Sequence, residues 1–133
     1  MKITELEGIA SNHLDRLEAA GLESVEALLA ACYSVASRAQ LAIRTGISEE
    51  LLLGWAERAE LACLSGLSDE FADLLEAAGV GGLRQLAGFD KKELRQLLAE
   101  TNESQQIVRE LPDARQVADW IAQAKSIEPI LEY

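Results

Sequence analysis

Apolar residues along the chain recur at the spacing of amphipathic helices, and nearly the same pattern appears twice. Residues 17–22 (LEAAGL) return as residues 75–80 (LEAAGV), and an earlier glycine, Gly8, returns as Gly66. Both repeats are offset by 58 positions. Two helical halves built on one plan are expected to pack about a pseudo-two-fold axis, because each covers a face that the other cannot bury alone.

Helix starts are predicted at side chains that can accept a hydrogen bond from a first-turn amide. In order along the chain these are Ser11, Ser24, Ser37, Ser48, Asp90 and Asp113. Ser37 and Asp113 are each followed three positions later by glutamine, as in a capping box. Gly21 is predicted to end the helix that begins at Ser11, since a left-handed backbone suits glycine. Trp55 and Trp120 each follow their cap by seven residues, so both are predicted on the same helix face.

Three further features shape the expected helices. A short first helix is predicted from about Ile3 to Glu7. An insertion from about Thr101 to Pro112 distinguishes the second half and is predicted to form a loop with a helical turn, the simplest interpretation being a tolerated surface insertion. Gly54 lies in mid-helix, where glycine costs about 1 kcal/mol relative to alanine, and this predicts a close helix crossing.

The domain organisation follows from length and pattern. A chain of 133 residues suits one all-α domain: residues 1–62 as repeat 1, 63–126 as repeat 2 and 127–133 as a short tail. No apolar run approaches the roughly 20 residues of a membrane span, and the N-terminus has no signal-peptide pattern. We therefore expect a cytoplasmic protein with no membrane partner.

The glycines that open each half lie in a recognisable motif. Residues 6–10 and 64–68 read apolar–x–Gly–apolar–small before an amphipathic helix, and residues 45–48 are a looser third copy. This pattern resembles the helix-hairpin-helix motif, in which amides at the next helix start can bind phosphate. The order of these motifs across both halves resembles the family called domain of unknown function 4332. That resemblance implies a tandem helix-hairpin-helix fold, a SAM/HhH-like helical domain, with no established activity.

Charge bears on nucleic-acid binding. The formal net charge is −11, from 23 acidic and 12 basic residues, so a phosphate backbone is repelled at long range. Residues 49–50 and 69–70 place carboxylates at two of the helix starts where phosphate would dock, whereas the first hairpin has none. Weak, sequence-independent nucleic-acid binding through hairpin amides and a small basic patch remains the alternative function. Its candidate contacts are Gly8, Ile9, Ala10, Ser11, Asn12, His13, Arg16, Lys91, Lys92 and Arg95.

Catalytic and metal chemistry has little support in the sequence. His13 is the only histidine, and it is expected at the surface. Cys32 and Cys63 lack the spacing of a zinc site; two reduced, buried thiols are predicted, with a disulfide as the alternative. No glycine-rich phosphate loop is present. We therefore predict no enzyme, no cofactor, no metal and no small-molecule substrate.

Protein binding is the function that the sequence favours. Trp55 and Trp120 belong to the residue type enriched at interface hot spots, although core packing is the simpler interpretation of their apolar stripes. Pro129 ends the last helix and leaves an apolar tail that either folds back onto the core or docks on another subunit. Ile130, Leu131 and Tyr133 are its candidate contacts. The prediction is a non-enzymatic interaction module that binds another protein or a second copy of itself.

Overall fold

The regular secondary structure of the described residues consists of helices, with no strand. The structure, a computed structural model, describes residues 2–6 and 8–133. Glu7, where the first helix was predicted to end, lies outside these residues, as does Met1. Over these residues one 3₁₀ helix (Ile3–Glu5) and eight α-helices occur, with no strand. The predicted all-α class is confirmed. No helix in the described ranges has both the length and the apolar character that a membrane crossing requires.

The chain divides into two compact units. Unit 1 comprises Met1–Glu60 with Ile130–Tyr133, and unit 2 comprises Leu61–Pro129. In unit 1 the helices are α1 (Ser11–Ala19), α2 (Val25–Cys32), α3 (Val35–Thr45) and α4 (Glu49–Leu61), whose last residue belongs to unit 2. In unit 2 the helices are α5 (Asp69–Ala77), α6 (Leu83–Ala87), α7 (Lys91–Gln105) and α8 (Ala114–Ser126).

Each unit has its own hydrophobic core, to which every α-helix contributes. In unit 1 the buried side chains include Leu17, Leu28, Leu41 and Leu52, one from each helix, and the tail adds Leu131. In unit 2 they include Leu75, Leu86, Leu94 and Trp120, again one from each helix. Apolar burial of this kind is the main force that holds such helices together.

The first helix of each unit ends in the same way. Gly21 and Gly79 adopt left-handed backbones, with φ of 85° and 86°. The amide of Leu22 donates to the carbonyl of Leu17 at 2.9 Å, and the amide of Val80 donates to that of Leu75 at 2.8 Å. These are Schellman motifs, which satisfy carbonyls that the helix end would leave unpaired. The predicted helix end at Gly21 is confirmed.

Most of the predicted helix starts are confirmed, and two are wrong. The confirmed caps, each of which accepts a first-turn amide, are Ser24, Ser48, Asp90 and Asp113. Ser37 is not a cap: α3 begins three residues earlier, because Ser34 and Ser37 form a capping box with reciprocal bonds of 3.0 Å. Ser11 is the first residue of α1, and the cap position is taken by Ala10, which provides no side-chain acceptor.

The predicted insertion is partly helical and has a defined loop. Helix α7 continues to Gln105, and Gln106 then adopts a left-handed backbone with φ of 50°. The Asn102 side chain accepts from the amides of Ile107 and Val108 at 2.8 and 2.9 Å and donates to the Val108 carbonyl at 3.0 Å. Val108 is buried in the core of unit 2. The loop that follows α7 is therefore fixed by the hydrogen bonds of Asn102 and by the burial of Val108.

The close helix crossing predicted at Gly54 is wrong. Apart from its own helix, no atom of residues 2–6 and 8–133 lies within 4 Å of a Cβ built at this position. The glycine therefore has no neighbour that requires it.

The C-terminal tail folds back onto unit 1. The amides of Ile130 and Leu131 donate to Oε2 of Glu60 at 2.9 and 3.0 Å, and Glu60 itself is buried. The Glu132 amide donates to the carbonyl of Tyr33 at 2.6 Å. Of the two predicted placements of the tail, the one in which it folds back onto the core is confirmed.

Candidate functional site

The first hairpin presents a helix start with open amides. Gly8 has a left-handed backbone with φ of 93°, and the first turn of α1 contains no acidic residue. The amides of Ser11 and Asn12 make no hydrogen bond with any described residue, and both residues are exposed. At α5, by contrast, the hydroxyl of Ser68 accepts an amide and the first turn carries two carboxylates.

Other predicted contacts of this hairpin have structural partners. The His13 ring lies against Trp55 with a centroid separation of 5.2 Å, so His13 is a half-buried packing residue and the prediction of a surface histidine is wrong. Nη1 of Arg16 donates to the carbonyl of Gly46 at 3.3 Å. Ile9 packs against the core of unit 1. Only part of the predicted phosphate-binding set therefore faces solvent without a partner.

Arg16 belongs to a reciprocal pair. Nη2 of Arg44, near the end of α3, donates to the carbonyl of Ala20 at the end of α1 at 3.2 Å, while Arg16 of α1 donates to the end of α3. Helix C-termini carry a partial negative charge, so each guanidinium stabilises the end of the other helix.

A third arginine of unit 1 is buried. Arg38 is only 4% exposed, and its Nη1 donates to the carbonyl of Cys32 at 2.7 Å. Burial raises the pKa of the Cys32 thiol to about 11, and the Arg38 charge offsets part of that rise. Neither cysteine forms a disulfide; Cys32 is buried as predicted, but Cys63 is exposed, so that part of the prediction is wrong.

In unit 2 the predicted basic cluster converges on one cavity. Lys91 and Lys92 lie in the first turn of α7 and Arg95 one turn later, and all three are exposed. They line a cavity of about 480 Å³, which we call the α7 cavity. Its other lining residues are Gln96, Leu98, Ala99, Leu111, Pro112 and Ala114. Lys91 and Arg95 make no hydrogen bond or ion pair with the described residues.

Lys91 also borders a second cavity, of about 340 Å³. Phe89 lies on one side of it and Lys125 of α8 on another, together with small and apolar side chains of α8. Sequence reasoning did not find Lys125 or Leu111 as neighbours of this cluster. They come from distant parts of the chain, and no local pattern connects them to Lys91.

The α7 helix start is already capped. The carboxylate of Asp90 accepts from the amide of Glu93 at 3.0 Å, and this bond holds the pKa of Asp90 below its usual value. The pKa of Glu93 is raised by a side-chain hydrogen bond with Asp90 and by the negative charge of that carboxylate. Any ligand in the α7 cavity therefore meets side-chain cations rather than open amides.

The tryptophans predicted as protein contacts are core residues. Trp55 is 7% exposed and Trp120 is 1% exposed. Trp120 lies against Phe71 of α5 with a ring-centroid separation of 5.4 Å, which matches the pair formed by His13 and Trp55 in unit 1. Both side chains pack in the core, as the simpler interpretation of the sequence predicts, and neither offers appreciable surface to a partner.

The tail is half buried and half exposed. Leu131 is 1% exposed within the unit 1 core, so its side chain offers no surface to a partner. Ile130 and Tyr133 are 42% and 45% exposed. Nearby Tyr33, whose carbonyl accepts from the tail, is 48% exposed, and Val35 is 54% exposed. We call Tyr33, Val35, Ile130 and Tyr133 the tail patch; its first two members were not predicted, because the bond that joins Tyr33 to Glu132 depends on the fold-back of the tail.

A metal centre finds no support in residues 2–6 and 8–133, where no three His, Cys, Asp or Glu side chains are grouped closely enough to hold an ion. A comparison with protein families gives one match, to the family described as Domain of unknown function (DUF4332), over residues 7–127. No curated protein and no solved structure matches significantly. Since the family match spans most of the sequence, the chain belongs to the DUF4332 family.

Proposed function

We propose that the two units are tandem copies of one helix-hairpin-helix plan and that the domain is a non-enzymatic module that binds another protein. The duplication is supported by the matching Schellman motifs and by the matching ring pairs, His13 with Trp55 and Phe71 with Trp120. Each unit also places four α-helices in sequence.

The tail patch is the observation that carries protein binding. It gathers large side chains, two of them tyrosines, that are nearly half exposed. Tyrosine is enriched at interface hot spots, and grouped exposed apolar side chains mark interaction surfaces. The backbone beneath the patch is fixed by bonds to Glu60 and Tyr33, so little ordering is needed on binding.

The charges around the patch define the partner. Glu132 is exposed between Ile130 and Tyr133, and the Tyr133 hydroxyl donates to Glu57 at 2.7 Å. Two-fold self-association would bring such carboxylates face to face on chains of net charge −11. A protein surface with apolar side chains flanked by lysine or arginine is therefore the favoured partner.

A probe peptide tests this function. A helical peptide of leucine and lysine, and a control peptide with glutamine in place of leucine, are titrated into ¹⁵N-labelled protein at physiological salt. We expect amide shifts at Tyr33, Val35 and residues 130–133, and a loss of affinity of about tenfold or more in Tyr33→Ser/Ile130→Ser. Ile43→Ser is the matched control, because Ile43 is 85% exposed on α3.

Three outcomes would contradict the proposal. They are equally tight binding of the control peptide, an equal loss of affinity in Ile43→Ser, and amide shifts spread evenly over the acidic surface. Sedimentation equilibrium provides a separate check on the partner: a dimer that is lost in Tyr33→Ser/Ile130→Ser would replace the basic partner with a second copy.

Nucleic-acid binding is the second candidate, favoured by the open amides of α1 and by the cluster at Lys91. It ranks second because Arg16 already has a carbonyl partner and because the other hairpin helices carry acids. Fluorescence anisotropy with duplex and single-stranded DNA tests it at low and physiological salt. Binding that weakens steeply with salt and is lost in Lys91→Glu/Lys92→Glu would establish it; no binding at low salt would eliminate it.

A further inference from the structure

We propose that the α7 cavity binds a small organic anion, a phosphate, sulfate or carboxylate group carried on an apolar body. This site lies wholly within unit 2 and is independent of the tail patch. Its recognition chemistry is a rim of three cations, Lys91, Lys92 and Arg95, above apolar side chains.

Two of the three cations, Lys91 and Arg95, have no structural partner for their side chains among the described residues, whereas the Lys92 charge also acts on the cap residue Asp90. Lys91 and Lys92 lie in the first turn of α7, where the helix dipole favours negative charge. Lys91 and Arg95 have no hydrogen-bond or ion-pair partner among the described residues, whereas Arg16, Arg38 and Arg44 of unit 1 donate to carbonyls. Two cations at a helix start that disfavours them, with a third one turn later, are explained by an anion that they bind.

Apart from Gln96, the other side chains that line the cavity are apolar. Leu98 and Pro112 are buried, Ala99 is half buried and Leu111 is 39% exposed. Such a surface offers no hydrogen bonds to water or to an inorganic ion. It suits the hydrocarbon part of a ligand, as in most small-molecule sites, where a few polar groups fix orientation and apolar side chains supply contact.

The loop that carries Leu111 is preformed. Asn102 holds its start through three hydrogen bonds, and Val108 anchors it in the core. Its end is fixed by the capping box of α8, in which Asp113 and Gln116 exchange bonds of 2.8 and 3.0 Å. A preformed wall lowers the entropy lost on binding.

The cavity volume sets the size of the ligand. At about 480 Å³ it falls in the usual range for small-molecule sites. An anionic group on one aromatic ring fits that volume. Lys91, Lys92 and Arg95 give the α7 cavity three positive charges, which favours a doubly charged group such as a phosphate ester.

Calorimetric titration with phenyl phosphate tests the site, with inorganic phosphate and phenol as partial ligands at constant ionic strength. We expect saturable one-to-one binding of phenyl phosphate, about tenfold or more tighter than either partial ligand. Lys91→Gln/Arg95→Gln should lower the affinity for phenyl phosphate by about tenfold or more. Leu111→Ser should reduce its affinity to that of inorganic phosphate.

The matched control is Lys2→Gln/Arg109→Gln, which removes the same two charges from exposed residues that do not line the cavity. Its affinity should stay within about twofold of the parent protein. Equal loss in this control would show that net charge alone attracts the anion. Equal affinity for phenyl phosphate and inorganic phosphate would remove the apolar wall from the site, and the absence of saturable binding would overturn the proposal.

Discussion

Three arginines of unit 1 and the basic cluster on α7 of unit 2 have contrasting surroundings. In unit 1, Arg16, Arg38 and Arg44 each donate to a backbone carbonyl at the end of a helix. In unit 2, Lys91 and Arg95 border a cavity and have no such partner among the described residues. With a similar order of helices, the arginines of unit 1 therefore bond to backbone carbonyls, whereas the cations of α7 line a cavity that is open to solvent.

One position explains part of this difference. Arg38 and Leu94 each follow the cap of their helix by four residues, their amides donate to the cap carbonyls, and both side chains are buried. In unit 1, α2 runs almost directly into α3, and the carbonyl of Cys32 is satisfied by Arg38. In unit 2, Gly88 follows α6 and its turn supplies backbone bonds, so a leucine suffices at the equivalent place.

The largest expected contrast concerns the two cysteines. Cys63 is exposed, whereas Cys32 is buried with a pKa raised to about 11. Labelling of Cys32 requires local or global opening, so we expect iodoacetamide to modify it more slowly than Cys63 by a factor on the order of 10³. Mass spectrometry of native protein should show one modification per chain, and denatured protein two. Rapid double labelling at neutral pH would show that the unit 1 core is open.

The same thiol gives a pH dependence with a definite sign. Its pKa in the folded state, about 11, lies above the free value of 9.0. The stability gained by keeping it neutral is therefore complete below pH 9 and is lost as the pH rises toward 11. Urea unfolding of the parent protein and of Cys32→Ala at pH 8 and pH 10.5 measures this: the parent should lose more stability between the two pH values. Equal losses would contradict the raised pKa.

The tail provides the next contrast, because unit 1 needs a distant segment and unit 2 is continuous. Leu131→Ala should lower the free energy of unfolding by about 3 kcal/mol, as expected for a buried leucine. Ile127→Ala, at a half-buried position of unit 2, is the control and should lose about 1 kcal/mol. Urea denaturation followed by circular dichroism gives both values; an effect below that of the control would place Leu131 outside the core.

Exchanging one cation in each unit tests the comparison directly. Arg38→Met keeps much of the buried volume but leaves the Cys32 carbonyl unpaired, so we expect a loss of about 2 kcal/mol. Lys91→Met removes a cation from a helix start and should change stability by less than about 0.5 kcal/mol. The same urea experiment measures both, and similar losses would mean that Lys91 also supports the fold.

One substitution in unit 1 is expected to change stability in the opposite direction. Gly54→Ala should stabilise unit 1 by about 1 kcal/mol or slightly less, because alanine is the better helix former and the added methyl group meets nothing outside its helix. A rise in the urea midpoint would check this. A fall would indicate a close contact at Gly54 after all.

Local chemistry made much of the fold predictable. A cap is a property of a few adjacent residues, so Ser24, Ser48, Asp90 and Asp113 were found from sequence. Ser37 was misassigned because Ser34, three residues earlier, offers an equally good acceptor. The place of Leu131 depends on hydrogen bonds to Glu60, about seventy residues away, which no local pattern reveals.

The basic cluster was likewise predictable only in part. Lys91, Lys92 and Arg95 stand close in sequence on one helix, and their proximity could be predicted. The apolar wall at Leu111 could not, since it depends on how Asn102 turns the loop after α7. The tail patch required the fold-back of the C-terminus, a long-range contact of the same kind.

The most direct test of the division between the two units observes all their cations at once. Protein labelled with ¹⁵N at lysine and arginine is titrated with phenyl phosphate, and side-chain resonances are followed by NMR. We predict shifts at Lys91, Lys92 and Arg95, with Arg16, Arg38 and Arg44 unchanged because they do not line the α7 cavity. Shifts at the unit 1 arginines, with the α7 cations unaffected, would contradict the account.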